Sequence, residues 1–541
     1  MPKNIVICSD GTGNTANKNR GTNVFKIFEA VDLRARKFRP PQDKSKVIEK
    51  QITLYDDGVG SQSFIVFKVL GGAFGWGLKR NVKQLYTELA RVYKNGDNLY
   101  FFGFSRGAFT IRTLIGFIAE CGIPKKSVFK NRAELNQLVD NAYKHYQRNY
   151  RSLLSRIFFP DWLGNFLPKG LLKRLPGFIG NRLPFSDNYD LNFYYQTPPI
   201  KFVGVWDTVS AVGLPFKWAT DMWNKYIYRF SFRNNNLYTG VEKACHALAI
   251  DDERQSFHPM LWNEDRTAYS NQVENGKTLY QKTEKDWEND WIEQVWFPGA
   301  HSNVGGGYPK QGMSLVSLHW MMKRAYHAGL KFFDKDWDYI RDHGNITDKL
   351  YKSRSGPAVY YRYLPRNIFK ICKTYNVDCH IHESLRDRIS LGSEGYAPGN
   401  LPPRFYLMGD EPGTHDKFFF SNKAFRDTDP EKESPLWTSL QPFIQLRRQG
   451  YYLFLLTTLT AIGIYINNLF AIAKIKLSGE SNPDCLEYLK VAWEEFSTWD
   501  LAMSFFNNFL WVALLFAFGI SLFTRLKMQG MRTKFWHQHR K

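Results

Sequence analysis

Cysteine is scarce in this 541-residue chain. Its six thiols, at Cys8, Cys121, Cys245, Cys372, Cys379 and Cys485, are scattered with no C-x-x-C pair. They are too few to staple a chain of this length, and their spacing excludes a zinc knuckle, so a reducing compartment fits. Acidic residues are also in deficit, 51 Asp+Glu against 73 Lys+Arg, which leaves a formal charge of +22 and points to an anionic partner or surface. The N-terminus lacks a signal-peptide core: Asn4-Ile5-Val6-Ile7-Cys8 is a short apolar run before Ser9-Asp10-Gly11, expected instead as a first β-strand. Aromatics, by contrast, are abundant, with 43 Phe, 29 Tyr and 16 Trp. Trp and Tyr gather where a protein meets a bilayer interface, although stacking on single-stranded nucleic acid uses the same residues.

The first 310 residues alternate short apolar runs with helical stretches, the pattern of an α/β fold with a mostly parallel sheet. Four runs end in polar or glycine-rich loops: Asn4–Cys8 before Asp10-Gly11-Thr12-Gly13, Asn98–Phe104 before Ser105, Ile200–Trp206 before Asp207, and Gln294–Phe297 before Gly299-Ala300-His301. Chemistry in such sheets gathers at the carboxyl ends of the strands, so these loops are expected to converge. Residues 125–199 break the pattern, interleaving Arg151, Arg156, Lys169, Lys173, Arg174 and Arg182 with aromatics, prolines and glycines. They are expected to be an insertion: a lid or membrane-contact element built from short amphipathic pieces, or a surface subdomain with a solvated basic face.

Of two apolar segments near the C-terminus, the first, 451–466, reaches the roughly 20 residues that a spanning helix needs if it runs on through Asn467 and Asn468 to about 473, and the second, 505–523, has about that length. Arg447 and Arg448 precede the first, Arg525, Lys527, Arg532 and Lys534 follow the second, and the connection is acidic. By the positive-inside rule this predicts a multi-pass membrane hairpin with both ends, and hence the catalytic domain, on the cytoplasmic side. The expected organisation is a catalytic domain over 1–445 and a hairpin with a basic tail over 446–541. The segment 331–445 bears no motif and is expected only to complete the domain and dock it to the hairpin.

Gly103-Phe104-Ser105-Arg106-Gly107 lies between a strand-like run and apolar residues at helical spacing. This strand, tight turn and helix predict a nucleophile elbow with Ser105 exposed at the top of the sheet. A serine hydroxyl needs a base within reach and a carboxylate to orient that base, in the chain order Ser, Asp or Glu, His. Among the 12 histidines, His301, in a glycine-rich loop after a strand, is the candidate base. Asp207 is the candidate carboxylate, with Asp251 and Asp252 as alternatives; His246 and His258 read as packing or supporting groups. The backbone N–H of Arg106, at the helix start, is one expected oxyanion donor, and Gly11 or Thr12 the other. No Gly-Lys-Ser/Thr follows the Asp10 loop, which disfavours a phosphate cradle. No metal or other cofactor is expected.

Five motifs in order, Ser9-Asp10-Gly11-Thr12, Tyr55-Asp56-Asp57-Gly58-Val59-Gly60, Gly103-Phe104-Ser105-Arg106-Gly107-Ala108, Gly204-Val205-Trp206-Asp207-Thr208-Val209 and His301-Ser302-Asn303-Val304-Gly305-Gly306-Gly307-Tyr308, resemble the α/β-hydrolase domain family that includes the first family of type VI secretion phospholipase effectors. The resemblance covers about residues 3–330 and implies an α/β-hydrolase fold and hydrolysis of phospholipid acyl esters by Ser105, His301 and Asp207. Two departures stand out. The long insertion makes the carboxylate assignment depend on its motif and not its spacing, and Asn303 stands where an aspartate is common, which argues against ion binding there. Membrane phospholipid is the expected partner and nucleic acid is not. The alternatives are a membrane-anchored esterase on other substrates and an inactive hydrolase-fold scaffold binding anionic lipid or nucleic acid.

Overall fold

The computed structural model describes residues 2–11, 21–33, 50–57, 73–148, 189–196, 198–210, 235–265, 267–270, 273–274, 277–278, 291–411, 415–418, 429, 432–477, 487, 491–492, 495, 497, 500 and 510–539. Nine of the described strands form one sheet: β1 (Asn4–Ser9), β2 (Gln51–Asp56), β3 (Asn98–Phe104), β4 (Ile200–Trp206), β5 (Val241–Ala249), β6 (Ile292–Phe297), β7 (His380–His382), β8 (Phe405–Met408) and β9 (His415–Phe418). Their spatial order is β9-β8-β7-β6-β5-β4-β3-β1-β2, and only the β8–β9 edge pair is antiparallel. The four runs that the sequence singled out are β1, β3, β4 and β6. The strands β7 to β9 extend the sheet with residues from the motif-free segment, which also holds helices α7 (Asp334–His343), α8 (Ile368–Tyr375) and α9 (Ser384–Leu391).

Both faces of the sheet are buried, which β1 makes plain. Ile5 and Ile7 join a cluster with Leu99, Phe101 and helices α2 (Ala73–Val92), α3 (Arg106–Cys121) and α4 (Arg132–Arg148). Val6 and Cys8 join the opposite cluster with Tyr100, Phe102, α1 (Asn23–Ala30) and α6 (Gly312–His327). A parallel sheet covered on both faces needs this near-continuous apolar sequence, because successive side chains point to opposite sides. The described cysteines, Cys8, Cys121, Cys245, Cys372 and Cys379, are free thiols, all of them buried. Between β1 and β3 the chain order reverses direction across the sheet, the kind of switch point at whose carboxyl strand ends ligand sites form in such sheets.

The expected insertion is built into this body at both of its ends. Leu135, Val139, Ala142, Tyr143 and Tyr146 of α4 pack in the core, and Tyr194–Tyr195 pairs with Ile123–Pro124. The basic aromatic stretch itself, 149–188, lies outside the described residues. So does most of the acidic connection of the expected hairpin.

Two C-terminal helices, α10 (Pro435–Lys476) and α11 (Leu510–His539), run well past the apolar segments read from the sequence. Helix propagation does not stop where hydrophobicity stops, and the Ser434 side chain caps α10 sixteen residues before Gly450 by accepting from Trp437 N–H. The helices are antiparallel neighbours: Gly450 lies against Ile520, and Gly399 of the sheet-bearing body touches both Leu440 and Arg532. Their polar ends therefore lie together at the body, where Leu436, Trp437, Leu440, Ile444 and Tyr451 of α10 meet Met528 and Tyr363. Both are long and apolar enough to cross a membrane. Leu456 (65% exposed), Ile475 (73%) and Phe516 (66%) face outward, unlike the residues of a soluble core helix.

Candidate active site

Ser105 follows β3 directly, at φ 59° and ψ −122°, a strained backbone that a non-glycine residue rarely adopts. Its N–H still donates to Trp206 O at 3.0 Å, so the turn begins while the β3–β4 ladder holds it. The turn also depends on Gly107. A Cβ there would sit 2.1 Å from Ser9 O and 2.5 Å from Asp10 O, both backbone atoms of the adjacent β1 end. Neither can swing away. Gly107→Ala is expected to cost about 1–3 kcal/mol of stability through overpacking and, by displacing Ser105 on the order of 1 Å, to lower turnover roughly 100-fold. Thermal unfolding together with turnover measures both; an alanine variant with native values would mean that the elbow tolerates the displacement.

Asp207 ends β4 as Ser105 ends β3, with positive φ (39°) and its N–H donating to Ala247 O at 2.8 Å. Its side chain is fully buried, and four donors converge on it. Ala249 N–H (3.0 Å) and Arg366 Nη1 (2.7 Å) donate to Oδ1, while Arg366 Nη2 (2.7 Å) and His301 Nδ1 (2.5 Å) share Oδ2. Burial alone would raise its pKa, but the Arg366 guanidinium and the His301 N–H outweigh it and hold the carboxyl well below the usual range.

His301 is expected in an open glycine-rich loop. It opens a short helix instead, α5 (His301–Gly305), whose Asn303 side chain accepts from the N–H of the preceding Ala300 at 3.3 Å. The ring is clamped between Phe104, the residue before Ser105, at a centroid distance of 4.6 Å, and the edge of Phe257 at 4.9 Å. Burial lowers its pKa and the Asp207 carboxylate only partly restores it, so the imidazole is neutral at pH 7. Its Nε2 is buried and has no hydrogen-bond partner among the described residues. With Nδ1–H committed to Asp207, Nε2 presents the lone pair that a general base needs.

The two alternative carboxylates hold the loop and not the ring. Asp252 Oδ2 accepts from the His301 backbone N–H at 3.3 Å and pairs with Arg254, while Asp251 Oδ2 accepts from Gly299 N–H (2.7 Å) and Tyr396 OH (2.8 Å). His246 and His258 are structural. His246 Nε2 accepts from Thr208 N–H at 3.1 Å, and burial drives its pKa down to about 3. His258 Nε2 donates to Leu364 O at 2.9 Å, and burial takes its pKa to about 4. Asn303 ties α5 to the segment beyond it, its amide donating to Lys349 O at 3.0 Å and its carbonyl accepting from Tyr351 N–H at 3.2 Å.

Of the expected oxyanion donors, Arg106 begins α3, where main-chain N–H groups point out of the helix. The Gly11 N–H is spent in this arrangement on its neighbour's carboxylate, Asp10 Oδ1, at 2.6 Å. Asp10 Oδ2 in turn accepts from Thr22 Oγ1 and from Tyr55 OH. Thr12 lies outside the described residues. Among the described residues, no group of three or more His, Cys, Asp or Glu side chains is placed to hold a metal ion.

Arg366 went unnoticed in the sequence. The only local signal is Asn367, which caps α8 (Ile368–Tyr375) by accepting from Lys370 N–H at 2.9 Å and so fixes where the preceding residue stands. A cap locates a helix start, but it says nothing about a partner 159 residues away.

The chain is 24% identical over 445 residues to an uncharacterized protein of Saccharomyces cerevisiae, a match that takes in 61% of this chain and 58% of that one. A crystal structure of an uncharacterized protein from Pseudomonas aeruginosa aligns at 17% identity with a TM-score of 0.31, over 64% of this chain and 49% of that one, a likeness too slight to argue from. The chain thus spans less than two thirds of either relative. Residues 3–324 match the model of the type VI secretion (T6SS) phospholipase effector Tle1-like catalytic domain, and with more than half its length matched this chain belongs to that family.

Proposed function

We propose that this chain is a membrane-anchored serine hydrolase that cleaves acyl ester bonds of phospholipids, with Ser105 as nucleophile, His301 as general base and acid, and Asp207 as the orienting carboxylate. The observation that carries the reading is the buried Asp207–His301 pair, whose ring packs on Phe104 beside the strained Ser105. Ser105 Oγ attacks the ester carbonyl as His301 Nε2 takes its proton. The tetrahedral oxyanion is held by the Arg106 N–H and by a second donor from the Asp10 loop, either Thr12 or a Gly11 N–H released from Asp10 Oδ1. His301 returns the proton to the leaving alcohol, and water then cleaves the acyl-enzyme by the same steps in reverse.

Three features favour a bilayer lipid as substrate: family membership, two apolar helices whose outward faces suit hydrocarbon, and the net positive charge. Anionic leaflets attract cations near their surface by about 1 kcal/mol each. Arg525, Lys527 and Lys534 lie in the C-terminal half of α11, the half that reaches the catalytic body, which favours the cytoplasmic side for that body. The full chain in vesicles of mixed phospholipids is expected to release free fatty acid and to form a fluorophosphonate adduct on Ser105. A folded protein that forms no adduct is a scaffold and not an enzyme. An adduct with turnover of short-chain esters but no release from vesicles would make it an esterase on other substrates.

The burial of His301 also sets a pH dependence. A base whose pKa lies below its ordinary value stays neutral, and competent, as the pH falls through that value. The acid limb of kcat/KM is therefore expected below about pH 6.5, the unperturbed imidazole value. A limb at or above that pH would show that another group, or an exposed His301, controls the reaction.

A further inference from the structure

We infer that Arg366, which lies outside the family-matched residues 3–324, is a positioning residue for the hydrolytic site, aiming the Asp207 carboxylate at His301 and keeping it ionised. The inference rests on Asp207 and His301 acting as proposed above.

A carboxylate has about four lone-pair sites, and Asp207 has a donor on each. Arg366 supplies two of the four, one on each oxygen, in the two-pronged geometry that fixes the plane of a carboxylate. With that plane fixed, Oδ2 faces His301 Nδ1 and cannot rotate away. The proton of the imidazole stays on Nδ1, and the lone pair stays on Nε2.

Charge gives Arg366 a second task. Asp207 and Arg366 are both fully buried, and an ionised carboxylate cannot persist there without a counter-ion. Arg366 is itself held by its surroundings: its guanidinium also donates to Ala249 O and Phe257 O, and its carbonyl accepts from Asn400 Nδ2 at 3.1 Å. Asn400 reaches on to Ile250 O at 2.9 Å, which ties the arginine to the chain just past β5. Phe257 meanwhile lies edge-on to His301. The arginine thus braces the carboxylate and the segment that clamps the base.

The charged groups that act on the imidazole are Asp207, Asp252 and Arg254, with Arg366 bonded to the same Asp207 oxygen, while burial keeps His246 and His258 neutral. Removing Arg366 deletes a cation bonded to the same oxygen as His301 Nδ1. The buried Asp207–His301 pair is then left with an uncompensated negative charge and takes up a proton at higher pH, on His301 as the imidazolium that replaces the lost counter-ion. A residue that merely supported the fold would leave that pH profile in place.

The test compares the full chain in phospholipid vesicles with Arg366→Ala and Arg366→Lys, using folding by near-ultraviolet circular dichroism, kcat, KM and the pH profile. For folded Arg366→Ala we expect kcat to fall roughly 100-fold, the cost of losing alignment, with KM held within about 3-fold because uniform binding is untouched. We also expect the acid limb to move to higher pH and added methylguanidinium to restore part of the rate. Should the alanine variant fail to fold, Arg366→Lys decides, since it keeps the charge and loses the fork: a fall in kcat of about 10-fold or more supports the inference. Wild-type kcat and pH profile in either folded variant overturn it, as does a loss of rate with no shift of the limb and no rescue. Failure of the parent reading looks different: the wild type itself would give no Ser105 adduct, or Asp207→Asn would retain full activity.

Discussion

Ser105→Ala is expected to lower the release of fatty acid from vesicles by roughly 10⁴-fold or more, with no loss of fold. Removing the nucleophile of a triad costs about as much as removing the whole triad, because the base and carboxylate have nothing left to activate. The residual rate belongs to the oxyanion donors and to binding. Stability should hold, since the hydroxyl satisfies no helix cap: the Ser105 side chain makes no capping bond to α3. The variant should unfold at the same temperature as the wild type and give no fluorophosphonate adduct. Equal release from both proteins would sink the assignment of Ser105.

Asp207→Asn should be comparably damaging to turnover and, unlike the serine change, also destabilising. The asparagine amide is a donor set against donors, Arg366 on both oxygens and His301 on Oδ2. Wherever the amide turns, one of them loses its acceptor. If His301 loses it, the imidazole proton moves to Nε2 and the base is gone, a loss of about 10⁴-fold in kcat. Arg366 is meanwhile left as a fully buried cation with no anion, which costs on the order of 3–5 kcal/mol. Urea unfolding beside vesicle kinetics measures both effects. Asp252→Asn is the contrasting change. Asp252 touches the His301 backbone but not its ring, so the substitution should slow turnover far less. A reversed order of the two effects would move the orienting role to Asp252.

The sheet strands that were legible were those followed by chemistry: β1, β3, β4 and β6 each show an apolar run broken by small or polar residues. Less so were β7 to β9. At three or four residues they are too short to establish a period, and they read as punctuation in a motif-free stretch. Helix α4 was folded into an expected insertion because its neighbours in sequence are basic and irregular. Its apolar face, Leu135, Val139, Ala142 and Tyr146, has nonetheless the spacing of an ordinary core helix. Helices α10 and α11 extend beyond the apolar segments, because hydrophobicity does not mark where backbone hydrogen bonds stop.

By itself the sequence determined the strand, tight turn and helix around Ser105, the α/β class and the paired apolar helices. Each is written in local spacing, and local spacing follows from the 2-residue and 3.6-residue periods of strand and helix. Which of three aspartates meets His301 was decided only by tertiary structure, because Asp207, Asp251 and Asp252 all follow strands that end on the same edge. The carboxylate nearest the ring depends on the parallel register of β4, β5 and β6. Tertiary structure alone also brought in Arg366, since a buried carboxylate needs a counter-ion but its sequence neighbours do not say from where along the chain it comes.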